Sequence, residues 1–198
     1  MLTWFLARGA GLSVLVLLSV STCLGALVSG IGDPDRRFVM QYLHRAAAGL
    51  GLAVLVLHIT SILADSYAHV GWRGALIPFT AGYRPGWVAL GSLAAYLFVL
   101  IAILGLARGR MAGTVRGARI WRGLHGFAYA GWAMAIVHGF SSGSDSDLGW
   151  VRILYVACIA AVVGSIVARL AQVRRRDPVT HRLLAPPLRT PPRQGASR

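Results

Sequence analysis

Histidine offers the most chemistry in this chain. Six are present, and four of them lie in apolar sequence: His44 and His58 on one stretch, His125 and His138 on another. An ionisable group at membrane depth is costly to keep and therefore points to a function. The members of the first pair are 14 residues apart and those of the second 13. At the rise of an α-helix either pair covers about 20 Å, most of the hydrocarbon thickness, so each helix offers one imidazole toward each face. No Cys, Glu or Asp falls at these depths to complete another kind of metal site. A neutral imidazole from each of two facing helices is instead the axial ligand set of a b-type haem, whose flat macrocycle fills an apolar gap between helices.

The elements that must hold those imidazoles follow from composition. The 198 residues are 56% hydrophobic and 13% charged, against about 25% charged in a soluble domain, which argues against a water-soluble globule. Five stretches contain neither Asp nor Arg: 9–32, 46–64, 85–107, 123–144 and 153–168. The first four are long enough to cross a bilayer, and the fifth becomes so if Arg152 and Arg169 snorkel. The expectation is an all-α membrane bundle of five transmembrane helices over residues 1–171, followed by a disordered Arg/Pro-rich tail over 172–198. The first stretch reads as a retained span rather than a signal peptide, because its apolar run is long and no cleavage site precedes a polar start. Cys23 and Cys158 fall inside helices and read as small buried side chains, and no C-x-x-C-H motif is present.

All 20 basic residues are Arg, and the formal net charge is +14. They lie between apolar runs and in the tail rather than along one amphipathic face, which excludes a nucleic-acid footprint. Sixteen fall in alternate segments that share one side, and only Arg8, Arg73, Arg84 and Arg152 fall on the other. The positive-inside rule then puts the N-terminus outside and the C-terminus in the cytoplasm of a multi-pass cell-membrane protein. The second and fourth helices run in the same direction, so His44 is level with His125 and His58 with His138. Asp65 and Asp145 each follow the outer His of their helix by seven residues, while Arg45 and Arg122 flank the inner pair. Two stacked bis-His tiers result.

One mismatch stands out. At about 100° per residue, 14 residues fall roughly 40° short of whole turns, but 13 fall roughly 140° short. A straight fourth helix would turn its two imidazoles apart, so a local distortion, tilt or change of rotamer is expected there, eased by Gly126, Gly131 and Gly139.

The segments HRAAAGLGLAVLVLH (44–58) and HGFAYAGWAMAIVH (125–138) resemble the ferric reductase-like transmembrane domain. That family spans ferric reductases, the NADPH oxidases and the haem-binding membrane subunit of the periplasmic methionine sulfoxide reductase system. The resemblance covers roughly residues 10–170. It implies that His44, His58, His125 and His138 ligate the iron of two b haems and that electrons move outward from the cytoplasmic side to an acceptor beyond the membrane. The family's oxidases carry six helices and then flavin and nicotinamide domains. This chain has five expected helices and no dinucleotide fingerprint, so the donor must be another molecule: a cytoplasmic flavoprotein, with the flavin on that partner, a quinol, or a bound flavin the sequence does not disclose.

Arg45, Arg122, Arg73, Arg84 and Arg152 are candidate partners of haem propionates by level and charge. Trp132 lies near mid-membrane and reads as core or lipid-facing packing more readily than as a bridge between haems. The outer connection 65–85 is expected to fold back as a lid, with a re-entrant turn around Ala75 to Thr80. Within it, IPFT at 77–80 reads as a turn and not as a flavin motif. His69 is a minor candidate for the acceptor side, and His181 an ordinary polar residue. Two other readings remain open: a quinol-linked cytochrome of the b561 type, and a non-catalytic helical scaffold whose histidines only pack.

Overall fold

The computed structural model describes residues 2–65 and 69–175. Among the described residues every regular element is helical: α1 (Leu2–Leu27), followed by a 3₁₀ turn (Val28–Gly30), α2 (Pro34–Leu63), α3 (Gly71–Leu76), α4 (Pro85–Leu106), α5 (Arg108–Met111), α6 (Val115–His125), α7 (Ala128–Ser142) and α8 (Gly149–Arg175). Four helical segments are long and apolar enough to cross a membrane: Leu2–Gly30, Pro34–Leu63, Pro85–Leu106 and Gly149–Arg174. The helix starts are written locally. Asp33 caps α2 by accepting the Asp35 N–H at 3.0 Å, with Pro34 in the first turn. Thr114 caps α6 by accepting the Gly117 N–H at 3.0 Å.

α1 is the central element: it packs along α2, α8 and α7, while α4 packs along α7. The core at mid-depth joins Val14 and Leu18 of α1, Ala94 and Phe98 of α4, Trp132 of α7 and Val162 of α8. Trp132 is therefore a packing residue, and its indole N–H donates to Ser19 Oγ at 2.9 Å. Cys158 is buried beside Tyr155, and both cysteines are free thiols. At one end, Thr3 donates to Asp65 at 3.1 Å, and Arg8 forms an ion pair with Asp145. Those contacts join the start of α1 to the ends of α2 and α7, so α2 and α7 run in the same direction and antiparallel to α1. Large apolar side chains such as Phe38, Val56, Leu106 and Ile153 stand exposed on the outside, the surface that lipid would cover.

The continuous helix expected over 123–144 is two helices. Between α6 and α7 the ladder tightens toward i→i−3 bonds: Gly126 N–H is shared between Arg122 O at 3.1 Å and Gly123 O at 3.2 Å, Phe127 N–H donates to Leu124 O at 3.1 Å and Tyr129 N–H to Gly126 O at 3.1 Å. A 3₁₀ turn advances about 120° per residue instead of 100°, so three such steps recover roughly 60° of the 140° shortfall. The break is a distortion of the kind the 13-residue spacing calls for, and about 80° is left to helix tilt and side-chain rotamers. The last helix, expected over 153–168, is longer at both ends, and α8 carries residues 172–175 that were assigned to the tail. The rest of the expected tail, with His181, lies outside the described residues.

The connection before α4 folds back on it. Ser92 Oγ donates to Ala75 O at 2.8 Å and Tyr96 Oη donates to Leu76 O, so α3 reaches two to three turns into α4. The return is tight: a Cβ on Gly74 would lie 2.6 Å from Ala81 Cα. Residues 77–79 form the turn that carries IPFT, with Phe79 at φ 70° and Thr80 Oγ1 donating to Ile77 O at 2.8 Å. His69, at φ 48°, stands at the entry to this hairpin.

Candidate functional site

Three of the four membrane histidines are held in the same way. His44 Nδ1 lies 2.8 Å from Ser21 O, His58 Nδ1 2.7 Å from Ala7 O, and His138 Nδ1 2.8 Å from Trp87 O. A carbonyl can only accept, so each of these Nδ1 atoms carries the proton and donates, which leaves Nε2 with a free lone pair. That tautomer is the one a metal-ligating imidazole adopts when its second nitrogen is tied to a backbone carbonyl. Ser21 adds a second contact at His44: its hydroxyl is 3.0 Å from Nδ1 and donates to the His44 carbonyl at 3.2 Å.

A glycine makes each arrangement possible. A Cβ on Gly25 would stand 3.1 Å from His44 Cε1, one on Gly11 3.0 Å from His58 Cε1, and one on Gly91 2.6 Å from His138 Cε1. Each glycine follows its accepting carbonyl by four residues: Ser21 and Gly25, Ala7 and Gly11, Trp87 and Gly91. In an α-helix the N–H of residue i+4 is bonded to the carbonyl of residue i, so the side chain at i+4 flanks that oxygen. At Gly91 only a missing side chain lets the imidazole lie over it, and at Gly11 and Gly25 a methyl would press on the ring. These glycines were not singled out in the sequence, although Gly11 and Gly25 are 14 residues apart, the same spacing as His44 and His58.

His125 differs. Its ring centre is 6.2 Å from that of His44, with the planes at 73°. It stacks on Trp121 at 4.8 Å and 15°, and its buried Nδ1 has no hydrogen-bond partner among the described residues. Trp121 is itself fixed, since its indole N–H donates to Leu104 O at 2.8 Å and the Arg108 guanidinium lies 5.4 Å from its ring centre. His58 and His138 lie toward the opposite end, at the levels of Ala7 and Trp87. The helices that bear the imidazoles, α2 on one side and α6 and α7 on the other, make at most marginal backbone contact with each other. His44 and His125 meet through their rings.

The arginines are less convergent. Arg45 and Arg122 are exposed, one residue after His44 and three before His125 in the chain. Arg73 lies over the Trp72 ring at 5.3 Å. Arg84 donates to Ser141 O and lies over Tyr83 at 5.4 Å, which clamps the start of α4 to the end of α7. Arg152 pairs with Asp147 at 2.7 Å. Three of these five are thus engaged with protein groups. Arg169, expected only to snorkel, donates to Tyr129 Oη at 3.2 Å. Among the described residues no three of His, Cys, Asp or Glu come together as a metal-binding group. An open apolar groove between α1 and α8, lined by Leu12, Val16, Leu17 and Leu154 among others, includes none of the histidines.

No protein-family model, curated protein or solved structure matches the chain.

Proposed function

We propose that this chain is a b-type cytochrome of the cell membrane that passes electrons outward through two tiers of bis-histidine haem. His44 and His125 would hold the iron of the inner tier, and His58 and His138 that of the outer tier. The observation that carries the reading is the shared tautomer: three imidazoles commit Nδ1–H to a neighbouring helix and keep Nε2 free in apolar surroundings. The His44 and His125 ring centres are 6.2 Å apart, close enough that both imidazoles would reach one iron once His125 has turned from Trp121. A site with only two protein ligands suits a metal that brings its own macrocycle, and the weak contact of α2 with α6 and α7 leaves their imidazoles as the main link between the two sides.

When bound, haem supplies a reversible one-electron carrier. The chain's part is to present Nε2 in one tautomer, keep water out with the Trp132 and Phe98 core, and fix the spacing of the tiers. We take α6 and α7 together as a fifth crossing, with the N-terminus outside, on the strength of the Arg distribution. The reading extends to a ferric reductase-like oxidoreductase subunit that receives electrons from a cytoplasmic flavoprotein or a quinol and delivers them to an acceptor outside. Arg45 and Arg122, exposed and close to the inner pair in the chain, are the basic residues best suited to haem propionates.

A packing role for the histidines would use the same Nδ1 bonds, so the two readings part at Nε2. The test is haem content and the reduced-minus-oxidised spectrum of the purified chain. Two b haems per chain are expected, with one lost in His58→Ala or His138→Ala. A chain that purifies without haem and responds to these changes only in stability is a scaffold.

A further inference from the structure

We infer that the carbonyl of Ile101 and the glycine four residues later, Gly105, form a fourth imidazole seat, and that His125 occupies it when the inner tier holds its iron. This rests on the haem reading above. The chain already shows the device three times, a helix carbonyl followed at i+4 by glycine with an imidazole laid over the gap. Gly105 follows Gly91 by 14 residues, which returns to nearly the same face of α4, so the face that receives His138 continues to Gly105.

The levels agree as well. α4 runs antiparallel to α6 and α7, as the contacts of Trp87 with His138 and Leu104 with Trp121 require. Fourteen residues of α4 rise about 21 Å. Thirteen residues from His138 back to His125 would rise less in a straight helix, but three 3₁₀ steps at about 2.0 Å each bring that distance to about 21 Å as well. The carbonyl level with His125 is therefore that of residue 101, counted 14 on from Trp87. A Cβ on Gly105 would meet nothing within 4 Å, while His125 rests on Trp121 with its buried Nδ1 unpartnered. The ring has a place to go and an unmet donor to satisfy there. Gly105 is a positioning residue in this scheme, acting on the iron only through His125.

The experiment replaces Gly105 in the full-length chain and reads haem content with the difference spectrum. Because the seat is open in the structure, Gly105→Leu is expected to leave the fold and its thermal midpoint intact. It should cut haem from two per chain to one and remove the same spectral component as His125→Ala, with Gly105→Ala intermediate. Gly164→Leu on α8, where a Cβ likewise meets nothing within 4 Å, should keep both haems. If Gly105→Leu retains two haems with the unaltered spectrum, the seat is wrong and the haem reading stands. If the unaltered chain itself shows no b-type spectrum, the haem reading falls and the seat falls with it.

Discussion

A histidine in apolar sequence attracts attention by type alone, and the four were legible for that reason. The glycines that seat them were not, because a glycine in a membrane helix has many ordinary explanations. Only the coincidence of spacing, Gly11 to Gly25 and Gly91 to Gly105 both matching His44 to His58, would have linked them. The tightest seat gives the sharpest residue-level prediction. Gly91→Ala puts a methyl 2.6 Å from His138 Cε1, so it must displace the ring, break the bond to Trp87 O and cost about 1–3 kcal/mol. Thermal unfolding in detergent reads this directly, and Gly9→Ala, with nothing within 4 Å, should be neutral or stabilising. Trp132→Phe should cost about 1 kcal/mol through the lost donation to Ser19; an unchanged midpoint would show that bond to be irrelevant.

Among the elements, the long helices were readable from apolar length, and their ends shifted only where polar residues tolerate helix, as at 172–175 in α8. The break between α6 and α7 was hidden from composition, since 123–144 contains neither Asp nor Arg and the glycines there mark no single point. What exposed the problem was angular: 13 residues cannot bring two side chains to one face of a regular helix. Deleting Gly126 tests whether the overwound turn sets the ligand geometry. It should carry His125 about 100° farther from the face of His138 and abolish one haem component, whereas a one-residue deletion in the 143–148 connection should spare both. The α3 hairpin was foreseen in outline as a re-entrant turn. Its depth was not, because it depends on two hydroxyls of α4, Ser92 and Tyr96, reaching back to backbone carbonyls.

At the scale of the molecule, the Arg distribution and the matched Asp residues after each outer His were enough to put α2 and α7 in the same direction. The structure reaches the same relation through other contacts, with Asp65 held by Thr3 and Asp145 by Arg8. The Arg8 and Asp145 side chains are 24% and 18% exposed, so removing either partner leaves a largely buried charge. Arg8→Ala should destabilise by about 1–3 kcal/mol, less than for a fully buried pair, and the exchanged pair Arg8→Asp with Asp145→Arg should recover most of it in a double-mutant cycle. Orientation has its own check: a reporter fused after Arg198 should be active only on the cytoplasmic side.

Because His44 and His58 lean on α1, and His138 leans on α4, every seated imidazole is prepared within its own helical hairpin before the two hairpins meet. Biogenesis can therefore proceed in order along the ribosome's product. The first pair of spans would leave the insertion machinery with its imidazoles already oriented, and the packing of α1 on α7 and α8, with Trp132 on Ser19 and Arg8 on Asp145, then joins the later half to the earlier one.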